Sequence, residues 1–326
     1  MRLLISTVIA AALSATLAFA DPLPSWEPGA SKTAILDFVA TVTDPASDDF
    51  VPVEDRIATF DNDGTLWAEQ PVYFQLLFAI NRLQAMAKDD PSILKDDVLT
   101  AAAKGDMKAL AASGEKGLLE VIGATHSGLS VDEFKTYARE FLTTQKHPEK
   151  DMLYIDMTYQ PMIELLTYLR DQGFSTYIVS GGGIDFMRSI TQTAYNIPTQ
   201  QVIGSSSKST YTVAGDKPVI MKEPGILFID DKTGKPVGIE SHIGKRPILA
   251  VGNSDGDYQM LQWTTSGDGK RLGMIVHHTD AAREWAYDRD SHVGTLNKAM
   301  DDAPKFGWVL IDMKDDWSRI WSGGNE

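Results

Sequence analysis

Two carboxylates stand two residues apart in the run Phe60-Asp61-Asn62-Asp63-Gly64-Thr65. At the tip of a buried strand such a pair can divide labour. Asp61 can attack phosphorus as a nucleophile and become an aspartyl phosphate. Asp63 can protonate the leaving oxygen and later activate water. Nucleophile and phosphoryl group are both anionic, so the attack needs a cation; Mg²⁺, which favours oxygen ligands, suits it. Two further clusters carry complementary groups. Ser180-Gly181-Gly182-Gly183 sets a hydroxyl and backbone amides ahead of a helical pattern, a cradle for phosphate oxygens. Gly252-Asn253-Ser254-Asp255-Gly256-Asp257 adds oxygens, with Asn253 and Asp257 as candidate metal ligands and Asp255 as a turn residue. A lysine is still needed beside the phosphoaspartate, and Lys222, Lys232, Lys235 and Lys245 all precede Asn253.

The elements around these clusters must bring them together. Ile57–Phe60, Ser175–Val179, Ile248–Val251 and Leu272–Val276 are short apolar runs bounded by polar turns, the pattern of buried strands. Three of them end at Asp61, Ser180 and Asn253. Ligands bind at the carboxyl ends of strands in open parallel sheets, so three such loops can share one crevice. Helical spacing marks Lys32–Ala40 behind an N-cap at Ser31, then Gln160–Gln172, Ile184–Tyr195, Tyr258–Thr264 and Ala281–Tyr287 behind Thr279-Asp280. Between the first and second strand runs, Phe74–Lys88, Ser92–Ala103, Gly117–Ala124 and Val131–Leu142 are all helical in spacing. Gln201–Phe228 alternates and predicts hairpins. The expected fold is α/β: a Rossmann-like, doubly wound parallel sheet core (21–66 and 160–326) with an inserted helical cap (67–159).

The motifs also carry a resemblance. Phe60-Asp61-Asn62-Asp63-Gly64-Thr65-Leu66 resembles the D-x-D-G-T motif of the haloacid dehalogenase-like superfamily. Val179–Gly183 is similar to its second motif and Gly252–Asp257 to its fourth, in the same order over residues 55–290. The chain is closest in style to the phosphoserine-phosphatase-like hydrolases, which carry a helical cap between the first two motifs. The resemblance implies Asp61 as nucleophile, Asp63 as general acid/base and as a metal ligand through its backbone carbonyl, and Ser180, with Gly181 and Gly182, on the transferred phosphoryl group. It implies Mg²⁺ held by Asp61, Asp63, Asn253 and Asp257. Lys235 lies nearest the usual separation from the fourth motif and is the preferred lysine. The fourth motif departs from the family in carrying Asn253 where an aspartate is usual. Glu69 is read as a substrate contact from the cap hinge or as a capping glutamate.

Composition narrows the function classes. Forty-five acidic residues against thirty basic ones give a net charge of −15, which argues against binding the nucleic-acid backbone. The chain has no cysteine, so thiol catalysis and zinc ribbons are excluded. Arg2, an apolar run from Leu3 to Leu17 and Ala18-Phe19-Ala20 form a secretory signal pattern over residues 1–20. The chain is therefore expected to be exported, periplasmic or secreted after cleavage near Ala20, without a stable membrane anchor. His277 and His278 are adjacent on an extended run, point to opposite faces and are read as structural. His126 and His147 are left unassigned. Trp285 and Tyr287 are read as packing against the sheet, and Asp301-Asp302 and Asp315-Asp316 as solvated. The leading expectation is a Mg²⁺-dependent phosphatase acting on a small phosphorylated substrate. The rivals are transfer of the phosphoryl group to an alcohol, and a non-catalytic periplasmic binding protein on the same fold.

Overall fold

The computed structural model describes residues 20–323, so the signal pattern lies outside the described residues except for Ala20. Among the described residues no helix is long and apolar enough to cross a membrane.

The chain opens with α1 (Ala30–Thr43) and enters the centre of the sheet at β1 (Ile57–Phe60), which is buried along its whole length. Helices α2 (Phe74–Asp89), α3 (Asp97–Lys104), α4 (Met107–His126) and α5 (Val131–Thr144) follow before the chain returns. It comes back through α6 (Gln160–Asp171) to β2 (Ser175–Gly183), then short α7 (Ile184–Arg188) and α8 (Thr191–Tyr195). A long hairpin, β3 (Val202–Ala214) and β4 (Lys217–Phe228), precedes α9 (Gly234–Ile243), β5 (Leu249–Gly252) and α10 (Tyr258–Thr265). The chain closes with β6 (Leu272–Thr279), β7 (Ala286–Tyr287), α11 (Lys298–Phe306) and β8 (Val309–Asp312).

The sheet order is β4-β3-β2-β1-β5-β6-β7, with β8 also paired to β6. The β1 ladders with β2 and β5, and those of β2 with β3, β5 with β6 and β6 with β8, are parallel; the hairpin and β7 pair antiparallel. After β1 the chain builds one side of the sheet and then crosses to the other, so the winding reverses beside β1. That reversal opens a crevice at the carboxyl ends of the strands. Alternation along the strands supplies two layers. Phe60, Ile178, Val251 and Met274 enter the layer packed by α1 and α6, while Val179, Ile203, Ala250 and Ile275 enter the layer packed by α9, α10 and α11.

The inserted helices α2, α3 and α4 bury a small cluster of their own around Leu83, Leu99 and Val121. α5 begins with a reciprocal cap in which Ser130 and Glu133 satisfy each other's backbone N–H groups. The insertion is fastened to the hairpin by main chain: Gly128 N–H donates to Lys222 O at 3.0 Å and Lys222 N–H to Leu129 O at 2.8 Å.

Four local expectations are corrected. Ser31 lies inside the first turn of α1 instead of capping it, and its hydroxyl donates to Asp316 at 2.7 Å. β2 runs on through Gly183, and the helix expected over Ile184–Tyr195 breaks in two. At the break Ser189 Oγ bonds back to Phe186 O while Ser189 O accepts Arg139 Nε–H from α5. Ala281–Tyr287 is no helix: Glu284 is drawn inward by Tyr159 and His278, and the chain then extends as β7. Asp302 and Asp316, read as solvated, are half-buried and accept from Tyr258 and Ser31.

Candidate active site

The three polar loops converge at the carboxyl edge of the sheet. Asp61 directly follows β1, and its N–H donates to Val251 O of β5 at 2.9 Å, extending the parallel ladder by one residue. Asp61, Asp63, Ser180, Gly181, Gly182 and Lys235 all line one pocket of 380 Å³, together with Glu69. Asn253 and Asp257 lie beneath it, at 2% and 0% exposure.

Lys235 is the central charge. It enters from the first turn of α9, and its Nζ stands 2.8 Å from Asp61 Oδ1 and 2.6 Å from Asp257 Oδ1. It also donates to Val179 O at 2.9 Å. Burial alone would lower its pKa, but Asp257 and Asp61 together raise it, so it holds its proton. The other candidate lysines lie elsewhere. Lys222 pairs with Asp185 on the pocket wall, Lys245 pairs with Asp55, and Lys232 is exposed beside Asp231.

Asp61 is crowded by its own kind. Burial, reinforced by the Asp257 charge, pushes its carboxyl up against the pull of Lys235. Lys235 Nζ, 2.8 Å from the buried Oδ1, is the partner that holds this carboxylate. Asp63 is held by Trp67, whose indole Nε1–H donates to Asp63 Oδ1 at 2.7 Å. Burial pushes the Asp63 carboxyl up to about 6.

The loop after β1 is fixed from three sides. Gly64 has φ +72°, and a Cβ there would lie 2.1 Å from Asn253 Nδ2, so only glycine fits. His278 Nε2 meets Gly64 O at 2.8 Å, while its Nδ1 faces Glu284 at 3.2 Å. Glu69 Oε1 accepts from Asn253 Nδ2 at 2.7 Å and from the Tyr287 hydroxyl at 2.8 Å. Burial drives the Glu69 carboxyl well above its ordinary range. Glu69 borders the pocket, but this oxygen ties the β1 loop to the β5 loop. His277, on the opposite face of β6, meets Asp288 instead.

Two expectations about the loops change. Ser180 and Gly182 do not sit at a helix N-terminus; they belong to β2, and the helix beyond has five residues. Gly182 N–H donates to Ser180 Oγ at 3.2 Å, and Gly183 N–H is taken by Gln75 Oε1 at 2.7 Å. Asp257 is turned away from the pocket. Its Oδ1 faces Lys235, and its Oδ2 accepts the N–H groups of Asn253 and Ser254. Asp255 caps the start of α11 through three backbone N–H groups, a turn role as expected.

Sequence reasoning missed Trp67, Gln75, Tyr287 and the part of His278. The first had a local signal, an indole four residues after a candidate acid. His126 lines the pocket, bonded to Gln75 and Thr125, whereas His147 meets Gln70 O at 3.0 Å away from it.

Among the described residues no group of three or more His, Cys, Asp or Glu side chains is arranged to hold a metal ion. The donors present still suit a hard cation. The carboxylates of Asp61, Asp63 and Asp230 gather around one ammonium that is already shared with Asp257, which leaves an excess of negative charge at the pocket floor. Asn253 Oδ1 accepts from Thr65 at 3.1 Å and keeps a second lone pair.

A search of curated proteins finds no match. Among solved structures, a conserved protein of unknown function from Anaerococcus prevotii DSM 20548 has a TM-score of 0.51 at 14% identity, over 77% of this chain and 86% of that one. One from Bordetella pertussis Tohama I has a TM-score of 0.48 at 15% identity, over 79% and 98%. A phosphoserine phosphohydrolase-like protein from Francisella tularensis subsp. tularensis SCHU S4 has a TM-score of 0.36 at 16% identity, over 68% and 87%. The first of these likenesses is one of fold. A family model described as haloacid dehalogenase-like hydrolase matches residues 58–262, a span holding all three polar loops and Lys235. The chain belongs to the haloacid dehalogenase-like hydrolases.

Proposed function

We propose that this hydrolase is a phosphatase that cleaves a small phosphate monoester, with Asp61 as nucleophile and Asp63 as acid and base. The observation that carries the reading is the floor of the pocket: two carboxylates at the end of β1, beside the Ser180 hydroxyl and the Lys235 ammonium. An Asp61 oxygen attacks phosphorus while the bond to the alcohol oxygen breaks, and Asp63 gives its proton to that oxygen. Water then attacks the phosphoaspartate, Asp63 takes back a proton, and inorganic phosphate leaves. Lys235 offsets charge at Asp61 throughout. Ser180 offers its hydroxyl to the transferred group.

Mg²⁺ would be held by Asp61, the Asp63 backbone carbonyl and Asn253, and would supply positive charge against the phosphate oxygens. Asp257 is better read as the residue that orients Lys235 and the Asn253 loop. The division into a core and a cap over 67–159, and export directed by residues 1–20, belong to the same proposal.

The test is phosphate release from p-nitrophenyl phosphate, with and without EDTA, by the native chain and by Asp61→Asn. Hydrolysis that needs Mg²⁺ and Asp61 supports the reading. Undiminished turnover by Asp61→Asn would sink it. Mg²⁺ should also raise the melting temperature of the native chain more than that of Asp61→Asn, a readout independent of turnover.

A further inference from the structure

Above the carboxylates, the pocket wall changes character. Leu118, Leu119 and Ile122 face it from α4, Phe134 from α5, and Ile226 and Ile229 from the hairpin and its exit. Leu118, Ile122 and His126 recur at four-residue intervals, so they share one face of α4. Val121 points the other way, into the apolar cluster that holds the inserted helices together. The aliphatic groups on the pocket face are therefore surplus to packing. Leu119 keeps 38% exposure and Ile229 49%, high for large aliphatic side chains. Contiguous exposed apolar surface at a cleft marks a place where something binds.

The cations on this wall are already matched, and Asp231 lies 4.0 Å from Lys232. Lys222, at 6% exposure, pairs with Asp185, and its ammonium lies 4.7 Å from the Phe134 ring centre. Lys235 is held by Asp61 and Asp257. The His126 ring nitrogens are engaged by Thr125 and Gln75. A leaving group with its own anion would meet no free cation among the lining residues. A polyol would meet the Ser205, Ser206 and Ser207 hydroxyls on the hairpin side, but would strand its remaining hydroxyls against the aliphatic carbon of α4 and α5, at a desolvation cost. The volume of 380 Å³ holds roughly a dozen units of the ~30 Å³ that one water takes up. That is room for a phosphate and a compact organic group.

We infer that the alcohol esterified to phosphate is uncharged and apolar, an alkyl or aryl group seated between α4, α5 and the hairpin. The inference rests on the phosphatase reading above and names its substrate class.

Two series test it. In the first, kcat/KM is measured with Mg²⁺ for n-alkyl phosphates from methyl to hexyl, beside glycerol phosphate and hexyl phosphates ending in a carboxylate or an ammonium. Each added methylene should raise kcat/KM about three- to fourfold while the wall still has room. A flat series, or a preference for glycerol phosphate or for either charged ester, would overturn the inference and leave the phosphatase reading standing. The second series is calorimetric titration with n-alkyl phosphonates, which resist hydrolysis. The same stepwise gain in affinity is expected, and no gain overturns the inference whatever the turnover. Stepwise phosphonate binding without phosphate release from any ester would instead remove the phosphatase reading and keep the apolar wall. A Leu119→Asn, Ile229→Asn double variant, changed at exposed positions, should lower the gain below twofold per methylene. An unchanged gain would show that the group lies elsewhere.

Discussion

Gln75, on the inserted helix α2, accepts the backbone N–H of Gly183, at the end of β2, at 2.7 Å. Its amide nitrogen meets His126 Nε2 at 3.2 Å, and His126 Nδ1 meets Thr125 Oγ1 at 2.8 Å. A chain of hydrogen bonds thus runs from α4 to the segment carrying Ser180. Replacing Gln75 by Leu takes the acceptor from the half-buried Gly183 amide, which costs about 0.5–1.5 kcal/mol. We expect a loss of stability in that range, with kcat/KM down on the order of tenfold as the Ser180 segment loosens. Steady-state kinetics beside urea unfolding would read both. Native kinetics in Gln75→Leu would show that the contact positions nothing.

Trp67 should matter more for turnover than for binding. Its indole N–H is the side-chain donor on Asp63 Oδ1. Trp67→Phe keeps the ring and removes the donor, and hydrogen bonds to charged groups contribute about 1.5–3 kcal/mol. The expected result is kcat lower by about ten- to a hundredfold with KM little changed.

Asp61→Asn should abolish activity without weakening the fold. Burial and the Asp257 charge push the Asp61 carboxyl up to about 7 in spite of Lys235 at 2.8 Å, so a neutral amide is better tolerated than the charge in this water-poor site. A melting temperature at or above the native value, together with loss of turnover by about a thousandfold or more, is the expected pair. Catalytic sites commonly sacrifice stability in this way.

His126 links stability to pH. Burial first, then the charges of Lys222 and Arg82, lower its pKa from 6.5 to about 3. A folded pKa below the unfolded one means that the unfolded chain binds the proton first. The contribution is thus complete above pH 6.5 and is lost as pH falls toward 3. Over that window one proton gives a slope of about 1.4 kcal/mol per pH unit. His126→Gln should remove that slope in the difference between the two proteins, read by urea unfolding at pH 7, 6, 5 and 4. Parallel curves would show that His126 titrates normally.

The parts of this molecule legible in its sequence are those written locally. Ile57–Phe60 and Ile248–Val251 are short apolar runs stopped by polar turns, and both fall on central strands. The separation between Lys235 and Asn253 leaves space for one helix and one strand, which is what α9 and β5 fill. What stayed hidden depends on partners far away in the chain. Tyr287 and Asn253 meet on Glu69, and His278 meets Gly64, through contacts that leave no periodic trace. Ala281–Tyr287 shows the same limit from the other side. Its helical spacing is real, but Tyr159 and His278 draw Glu284 inward and the extended path wins. Asp257 could be picked out by type alone; that it faces Lys235 needed the folded loop.

The two backbone ties between Lys222 and the Gly128-Leu129 segment join a hairpin grown from the sheet to helices inserted after β1. The pocket is consequently roofed by two excursions from the chain, while its floor comes from strand ends locked in the parallel ladder and from the first turn of α9. Floor and roof can diverge at different speeds. Exchanging residues 206–228 and 107–144 as a matched pair would redraw which molecules are admitted while the carboxylates, lysine and serine stay in register. The seam at Lys222 is main chain to main chain, so the side chains of either stretch can change without loosening it.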